Sequence, residues 1–431
     1  MPGRRKYSAS DPMHSRCSQL AMNDAQDTHA LQRLVHSHRP GFSLARDFYV
    51  SPSVFEAEFE RFLSAHWIAA GHVAELPRTG DYFVFDVMQS SLIVTRSSDG
   101  EIHALHNVCR HRGARLCEEK QGRASVLACR YHGWSYRLDG QLAAWRHMPE
   151  GLNRDDYSLR RCGVAVFQGV ILVCLDPHKA PDPQQMLRHT LPYWQRYDLA
   201  NCKVAATRTY RLAANWKLAI ENNLECYHCM PRHPQYTAAN AFVRADEKVS
   251  PGHVERFEAY HKEWRQKLEA RGIPTGRSEL IATNGQLCRA GTWPLAPDQL
   301  TGSRDGKGLA PFLGSIGEYD ESVTTGSIGF LTYIAAMCDY ALLVSYVPQS
   351  VNETHAVMKW LVRADAREGI DYDLEKVVWL WDETTKQDKD IIELNSAGVT
   401  TRGYVPGPYS TLEALTADFI ERYLKLMVGP L

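Results

Sequence analysis

The runs Cys109-Arg110-His111-Arg112-Gly113 and Cys129-Arg130-Tyr131-His132-Gly133-Trp134 place two thiolates and two imidazoles in a pair of short segments that each reach a glycine. Two Cys and two His are the ligands of a closed, tetrahedral zinc site. The alternating order Cys, His, Cys, His equally suits a [2Fe-2S] cluster in which the thiolates hold one iron and the neutral imidazoles the other, an exchange that raises the reduction potential. Ligand type alone leaves both readings open. Cys117 lies outside both runs and reads as a small buried residue.

A second group follows in the stretch from Asn215 to Pro234, where Glu225, His228 and His233 are the metal-ligating types. A helix from Asn215 to Cys229 would put Glu225 and His228 on one face. Pro231, which disfavours helical geometry in its predecessor, would end that helix and let His233 fold back toward His228. The missing carboxylate can come from the long helix expected over Asp373–Asn395, where Leu374, Val378, Trp381, Thr385, Asp388, Ile392 and Asn395 fall at alternating three- and four-residue steps. An ionised Asp388 on that core-facing stripe needs a partner, either a cation or a buried Arg. Two His and one carboxylate on one face of Fe(II) leave coordination positions open for O2 and a substrate. Asp382 and Asp390 are the neighbouring alternatives to Asp388.

The elements that must position these groups fall into three parts. Residues 1–44 are polar without clear periodicity and read as a disordered tail and an arm. Over 45–180, Ser53 and Glu56 have capping-box spacing ahead of an apolar face of Phe55, Phe59, Phe62 and Leu63. Short β-rich runs follow at Tyr82–Val87, Leu92–Arg96, Ile102–His106 and on both sides of Gly169, separated by turn signals. This predicts an all-β domain carrying both Cys/His runs. Residues 181–431 mix helices with antiparallel strands at Tyr340–Pro348 and Thr354–Val362, an α+β pattern, and the Gly- and Ser-rich stretch 300–330 reads as a lid or binding loop.

Composition narrows the function classes. Lys and Arg number 49 against 50 Asp and Glu, so no charge surplus steers the chain to nucleic acid or an anionic membrane. The longest apolar stretch, Gly163–Leu175, is too short to span a bilayer, and no apolar run follows Arg4, Arg5 and Lys6 as in a signal peptide. Eleven scattered cysteines, an odd number, suit a reducing cytoplasm in which paired cysteines bind metal. No Gly-rich dinucleotide fingerprint is present.

From about residue 40 onward the chain resembles the large (alpha) subunit of Rieske non-haem iron oxygenases, through both Cys/His runs and the segment Glu225-Cys226-Tyr227-His228-Cys229 to His233. The resemblance implies an α+β fold: an N-terminal all-β Rieske domain and a helix-grip-like catalytic domain whose antiparallel sheet is covered by helices. It assigns Cys109, His111, Cys129 and His132 to a Rieske [2Fe-2S] cluster and His228, His233 and Asp388 to a mononuclear Fe(II). It further implies a homotrimer in which Glu225 bridges an iron-binding His and the cluster of the neighbouring subunit. Electrons would come from NAD(P)H through a separate flavin/iron-sulfur reductase. Many ring-hydroxylating members carry Asp where this chain has Glu225. That variant, with Asp47-Phe48-Tyr49 and Gln387-Asp388, is similar to the subgroup acting on quaternary ammonium compounds such as glycine betaine, carnitine and stachydrine. The expected reaction is oxidative N-demethylation of glycine betaine to dimethylglycine and formaldehyde, with hydroxylation of an aromatic acid as the alternative. Trp293, Tyr319 and Tyr333 are aromatic residues of a type able to face a methylammonium group, although core packing is the commoner role for each.

Overall fold

The computed structural model describes residues 29–240 and 252–429. The tail expected at the N-terminus lies mostly outside them, but 29–36 form a helix whose Leu31 is buried in the main core. The next long helix starts two residues earlier than the expected capping box. Ser51, not Ser53, is the N-cap, with its hydroxyl accepting from the Val54 N–H, and Pro52 opens the helix Pro52–Arg61. Proline at this position loses nothing, because the first N–H groups of a helix have no intrahelical partner.

The N-terminal domain is built on a seven-stranded antiparallel sheet in the order β1-β10-β9-β4-β3-β2-β5. Its strands are β1 (Ile68–His72), β2 (Asp81–Val87), β3 (Ser90–Arg96), β4 (Ile102–His106), β5 (Gln121–Arg123), β9 (Arg161–Phe167) and β10 (Val170–Cys174). A small sheet of β6 (Leu127–Ala128), β7 (Ser135–Tyr136) and β8 (Leu142–Ala144) stands beside it. The Cys109 run joins β4 to β5, and the Cys129 run joins β6 to β7.

The C-terminal domain is built on a second seven-stranded antiparallel sheet, β11-β17-β16-β15-β14-β13-β12. It is formed by β11 (Cys202–Leu212), β12 (Gly276–Ile281), β13 (Leu287–Pro294), β14 (Ser322–Ile328), β15 (Thr332–Ala336), β16 (Ala341–Ser350) and β17 (Glu353–Arg363). Val377, Val378, Leu380 and Trp381 of the helix Leu374–Val399 bury against this sheet. That helix is longer than expected and passes through Gly398, while Asn395, placed on its core stripe by periodicity, is exposed. The two domains share backbone contacts: the Ala69 N–H donates to Thr332 Oγ1 at 2.9 Å, and the Ser345 hydroxyl to the Ala69 carbonyl at 2.7 Å.

Two further expectations are corrected. Residues 300–330 do not form a free lid. Asp339 accepts from the Thr301 hydroxyl (2.6 Å), the Leu309 N–H (2.7 Å) and the Tyr319 hydroxyl (3.2 Å), which ties the loop down, and Ser322–Ile328 is strand β14. Tyr319 is therefore engaged away from any methylammonium site. The cysteines are not all free either, for Cys226 and Cys229 are joined in a disulfide on either side of Tyr227 and His228.

Buried carboxylates anchor the helix Trp216–Asn223. Glu58, fully buried, accepts from Trp216 Nε1 (2.7 Å), the Tyr423 hydroxyl (2.6 Å) and Lys217. Glu221 accepts from the hydroxyls of Tyr49 (2.9 Å) and Tyr409 (3.1 Å). Burial pushes Glu221 up to about 7, against the pull of those hydroxyls and Lys217. The folded protein thus binds more protons here than the unfolded chain between about pH 4.5 and 7, so stability falls as pH rises through that window. Glu221→Gln should remove this loss, gaining about 1–3 kcal/mol over the parent at pH 8 and little at pH 4.5. Urea unfolding at the two pH values checks it; an equal change at both would contradict it.

Candidate active site

The two Cys/His loops share one backbone design. The Gly113 N–H bonds the Cys109 carbonyl and the Gly133 N–H bonds that of Cys129, both at 3.0 Å. Each glycine has positive φ, 77° and 72°, a conformation glycine adopts without the Cβ penalty. Cys109 and Cys129 are buried, whereas His132 lies exposed. The His111 and His132 rings stand 4.6 Å apart, and Trp134 stacks on His111 at 4.9 Å. His111 Nδ1 is buried with no hydrogen-bond partner among the described residues. An orphaned imidazole nitrogen beside a second imidazole and two buried thiols is what a metal cluster would satisfy. Tyr136, which the motif reading passed over, supports the loop: its hydroxyl lies 3.3 Å from Cys109 Sγ and accepts the Arg110 N–H at 3.0 Å. Burial pushes its phenol well up, keeping it a donor. Its position two residues after Trp134, facing inward from β7, was the available signal.

The second site is assembled differently from the expectation. The helix capped by Asn215 ends at Asn223 rather than Cys229, so Glu225 and His228 meet in a turn instead of on a helix face. Glu225 Oε2 accepts the Tyr227 and His228 N–H groups, and such local side-chain bonds compete with helix. Nor does Pro231 break a helix, since it sits inside the short helix Cys229–Arg232. The break falls at His233, which precedes Pro234 and takes the non-helical φ −122° and ψ 69°.

His228, His233 and Asp388 then converge, with one possible ligand atom from each lying within 4.8 Å of the others. Asp388 Oδ1 is 2.9 Å from His233 Nε2 and 3.3 Å from His228 Nε2. The opposite ring nitrogens are held from behind: His228 Nδ1 by Glu225 Oε1 at 2.5 Å and His233 Nδ1 by Gln387 Oε1 at 2.7 Å. Gln387 in turn accepts from Gln235 Nε2 at 2.8 Å. Burial opposes charge on His228, but the Asp388 and Glu225 carboxylates outweigh it and push the imidazole up to about 9. Burial likewise opposes charge on Asp388, yet hydrogen bonds from His228 and His233 hold it below the usual carboxylate range. A part-buried anionic oxygen between two imidazole nitrogens is a donor set for a divalent cation, with both second nitrogens oriented by acceptors. The Arg-paired alternative belongs to Asp382, whose carboxylate meets Arg208 at 2.6 Å.

A cavity of about 380 Å³ opens beside this cluster. Alternation along the strands points Arg289, Gly291 and Trp293 of β13, Val323, Thr325 and Ser327 of β14, and Tyr333 of β15 into it. Tyr236 and Trp381 complete an aromatic wall that reaches the His228, His233 and Asp388 cluster: His233 to Tyr236 is 6.5 Å, Tyr236 to Trp381 5.7 Å and Trp381 to Tyr333 6.3 Å between ring centres. Of the three aromatics singled out by sequence, Trp293 and Tyr333 line the cavity. Glu225 borders both it and a second cavity of about 300 Å³ that holds His228, Glu221 and Tyr409.

Comparison with known proteins matches this arrangement. Residues 66–167 fit the family described as Rieske [2Fe-2S] domain, and residues 199–308 and 330–429 the ring hydroxylating alpha subunit (catalytic domain). The glycine betaine monooxygenase oxygenase subunit of Pseudomonas aeruginosa (strain UCBPP-PA14) is 34% identical over 407 residues, 92% of either chain. The carnitine monooxygenase oxygenase subunit of Escherichia coli (strain K12) is 33% identical over 198 residues, 44% of this chain and 52% of that one. Among solved structures, the quaternary ammonium Rieske monooxygenase CntA in complex with L-carnitine superposes with a TM-score of 0.66 at 19% identity, covering 92% of this chain and 98% of the other. Naphthalene 1,2-dioxygenase from Rhodococcus sp. does so with a TM-score of 0.62 at 20% identity, covering 94% and 99%. No helix among the described residues is long and apolar enough to cross a membrane. The chain belongs to the family of Rieske non-haem iron oxygenase alpha subunits, oxidoreductases whose cofactors are a Rieske [2Fe-2S] cluster and a mononuclear iron.

Proposed function

We propose that this protein is the terminal oxygenase of a cytoplasmic system that removes a methyl group from a quaternary ammonium substrate, glycine betaine, giving dimethylglycine and formaldehyde. The observation that carries the reading is the aromatic wall of Tyr236, Trp381, Tyr333 and Trp293, which runs from His233 into a cavity large enough for a small molecule. Ring faces attract a desolvated onium group, and the wall would hold its methyls toward the metal ligands. Relatives that are glycine betaine monooxygenase oxygenase subunits over nearly their whole length support the same substrate class.

In this reading Cys109, His111, Cys129 and His132 hold the cluster, and His228, His233 and Asp388 hold the iron. When bound, the cluster supplies single electrons and the iron the oxidising chemistry that activates O2. The protein's own groups orient and exclude. Glu225 and Gln387 fix the two imidazoles, and the aromatic wall keeps water from the methyl group. One N-methyl C–H becomes C–OH with one atom of O2, while two electrons and two protons carry the other atom to water. The carbinol then loses its hydroxyl proton, the C–N bond breaks with its electron pair left on nitrogen, and formaldehyde departs. The electrons originate in NAD(P)H and arrive through a separate flavin/iron-sulfur reductase, and the working assembly is a homotrimer.

With a reductase, NADH and O2, glycine betaine should yield dimethylglycine and formaldehyde in near equal amounts. Dihydroxylation of an aromatic acid with glycine betaine inert would replace this reading by the ring-hydroxylating one.

A further inference from the structure

We propose that Arg289 is the carboxylate anchor of the cavity, so that the site selects zwitterions carrying both an onium group and a carboxylate over simple quaternary amines. This rests on the substrate class proposed above and adds the residue that recognises the substrate's second charge.

Arg289 is part-buried in the cavity wall on β13, where its Nε donates to Ser327 Oγ at 3.2 Å. Among the described residues no carboxylate lies within ion-pair distance of its guanidinium. The carboxylate opposite it on β12, Glu279, pairs instead with Arg277 at 3.4 Å. Arg277 also lines the cavity, and Arg422, whose Nε is buried without a partner, adds a third positive group close by. Burial, reinforced by Arg277 and Arg422 and only partly offset by Tyr333 and Glu279, pushes Arg289 down to about 10. A buried cation beside like charges is costly unless an anion joins it. The planar guanidinium fork matches a carboxylate bidentately, which a surface lysine would not do.

Its position suits that role. Register puts Arg289 opposite Ser327 and Ser327 opposite Tyr333, so the guanidinium and the aromatic wall sit on one face of the sheet two strands apart. That is about 10 Å between Cα positions, which both side chains shorten by reaching inward, leaving a span for a small zwitterion. The onium would meet Tyr333, Trp381 and Tyr236 on the metal side while the carboxylate meets Arg289 on the far side.

The test compares glycine betaine with its methyl ester, which keeps the onium and removes the negative charge, on reductase-coupled holoenzyme. The parent should show a KM roughly 100-fold lower for glycine betaine than for the ester. Arg289→Gln should raise the glycine betaine KM to about the ester's value with kcat changed far less, leave the ester's KM nearly unmoved, and Arg289→Lys should recover part of the difference. A variant that moves both substrates equally would make Arg289 a structural residue and overturn the proposal. So would a parent enzyme that does not discriminate the two compounds, a result that needs no variant to fold. A parent inert toward both would overturn the substrate class as well, and so is distinguishable from failure of the anchor alone.

Discussion

Asp388→Ala is expected to lose the mononuclear iron and all measurable turnover while the [2Fe-2S] spectrum stays as in the parent protein. Asp388 Oδ1 lies between both imidazoles, 2.9 Å from His233 and 3.3 Å from His228, and those hydrogen bonds keep it ionised. Without it, two imidazole nitrogens and no anionic oxygen remain, a poor site for Fe(II) against water. Loss of an outer partner of a metal ligand already costs 10–100-fold in affinity, so removal of a ligand should cost at least about 100-fold. Neighbouring carboxylates offer no rescue. Asp382 is engaged by Arg208, by Lys386 at 2.8 Å and by the Tyr210 hydroxyl, and Asp390 is exposed on the helix Leu374–Val399. The cluster loops belong to the other domain, between β4 and β5 and between β6 and β7, so their spectrum reports that the variant is folded. Iron analysis, cluster absorbance and formaldehyde release on one preparation decide the matter. Retained iron and turnover would remove Asp388 from the site.

The outcome bears on what could be read from the chain alone. The pairing of the two Cys/His loops at 109–113 and 129–134 was legible because each loop is local: Cys, His, turn and the glycine with positive φ all fall within a few residues. The inward placing of Asp388 beside His228 and His233 was legible because a long amphipathic helix keeps its period regardless of what it packs on. The Glu225–His233 segment was misread in shape, since its path depends on a carboxylate turning back onto the Tyr227 and His228 N–H groups, a choice that propensity does not reveal. The stretch 300–330 read as a loop from its glycines, but Asp339, a distant residue, holds it down. Gln387 and Arg289 escaped for a related reason. Each is an ordinary polar residue in sequence, and only the packing of His233 against the long helix, or of β13 beside β14, shows what it faces.

Glu225→Ala and Glu225→Gln, prepared with excess Fe(II) to offset the weaker hold on His228, are expected to keep both metals nearly loaded yet slow re-oxidation of the reduced cluster by O2 and substrate by about 100-fold or more. The carboxylate holds His228 Nδ1 at 2.5 Å with Oε1 and caps the turn with Oε2, so removing it loosens the ring that faces Asp388 without deleting a ligand. A carboxylate oxygen has two lone pairs, so Glu225 keeps capacity for one more donor from outside the chain. Its surroundings suit such a donor: the adjoining Tyr227 is exposed, and the cavity it shares with His228 is open. At the other end of the proposed route, His132 and Tyr131 lie exposed on the cluster loop. In a homotrimer, the imidazole N–H of the neighbouring subunit's cluster would meet Glu225, giving a hydrogen-bonded path from one ring through the carboxylate to His228. Glu225→Gln keeps the size and one acceptor but loses the charge, so a milder defect than in Glu225→Ala would show that the bonded path carries part of the effect. The decisive measurement is a single turnover on pre-reduced, metal-replete protein, following cluster absorbance with substrate and O2 present. Parent-like rates in Glu225→Ala would show that electrons reach the iron without this carboxylate.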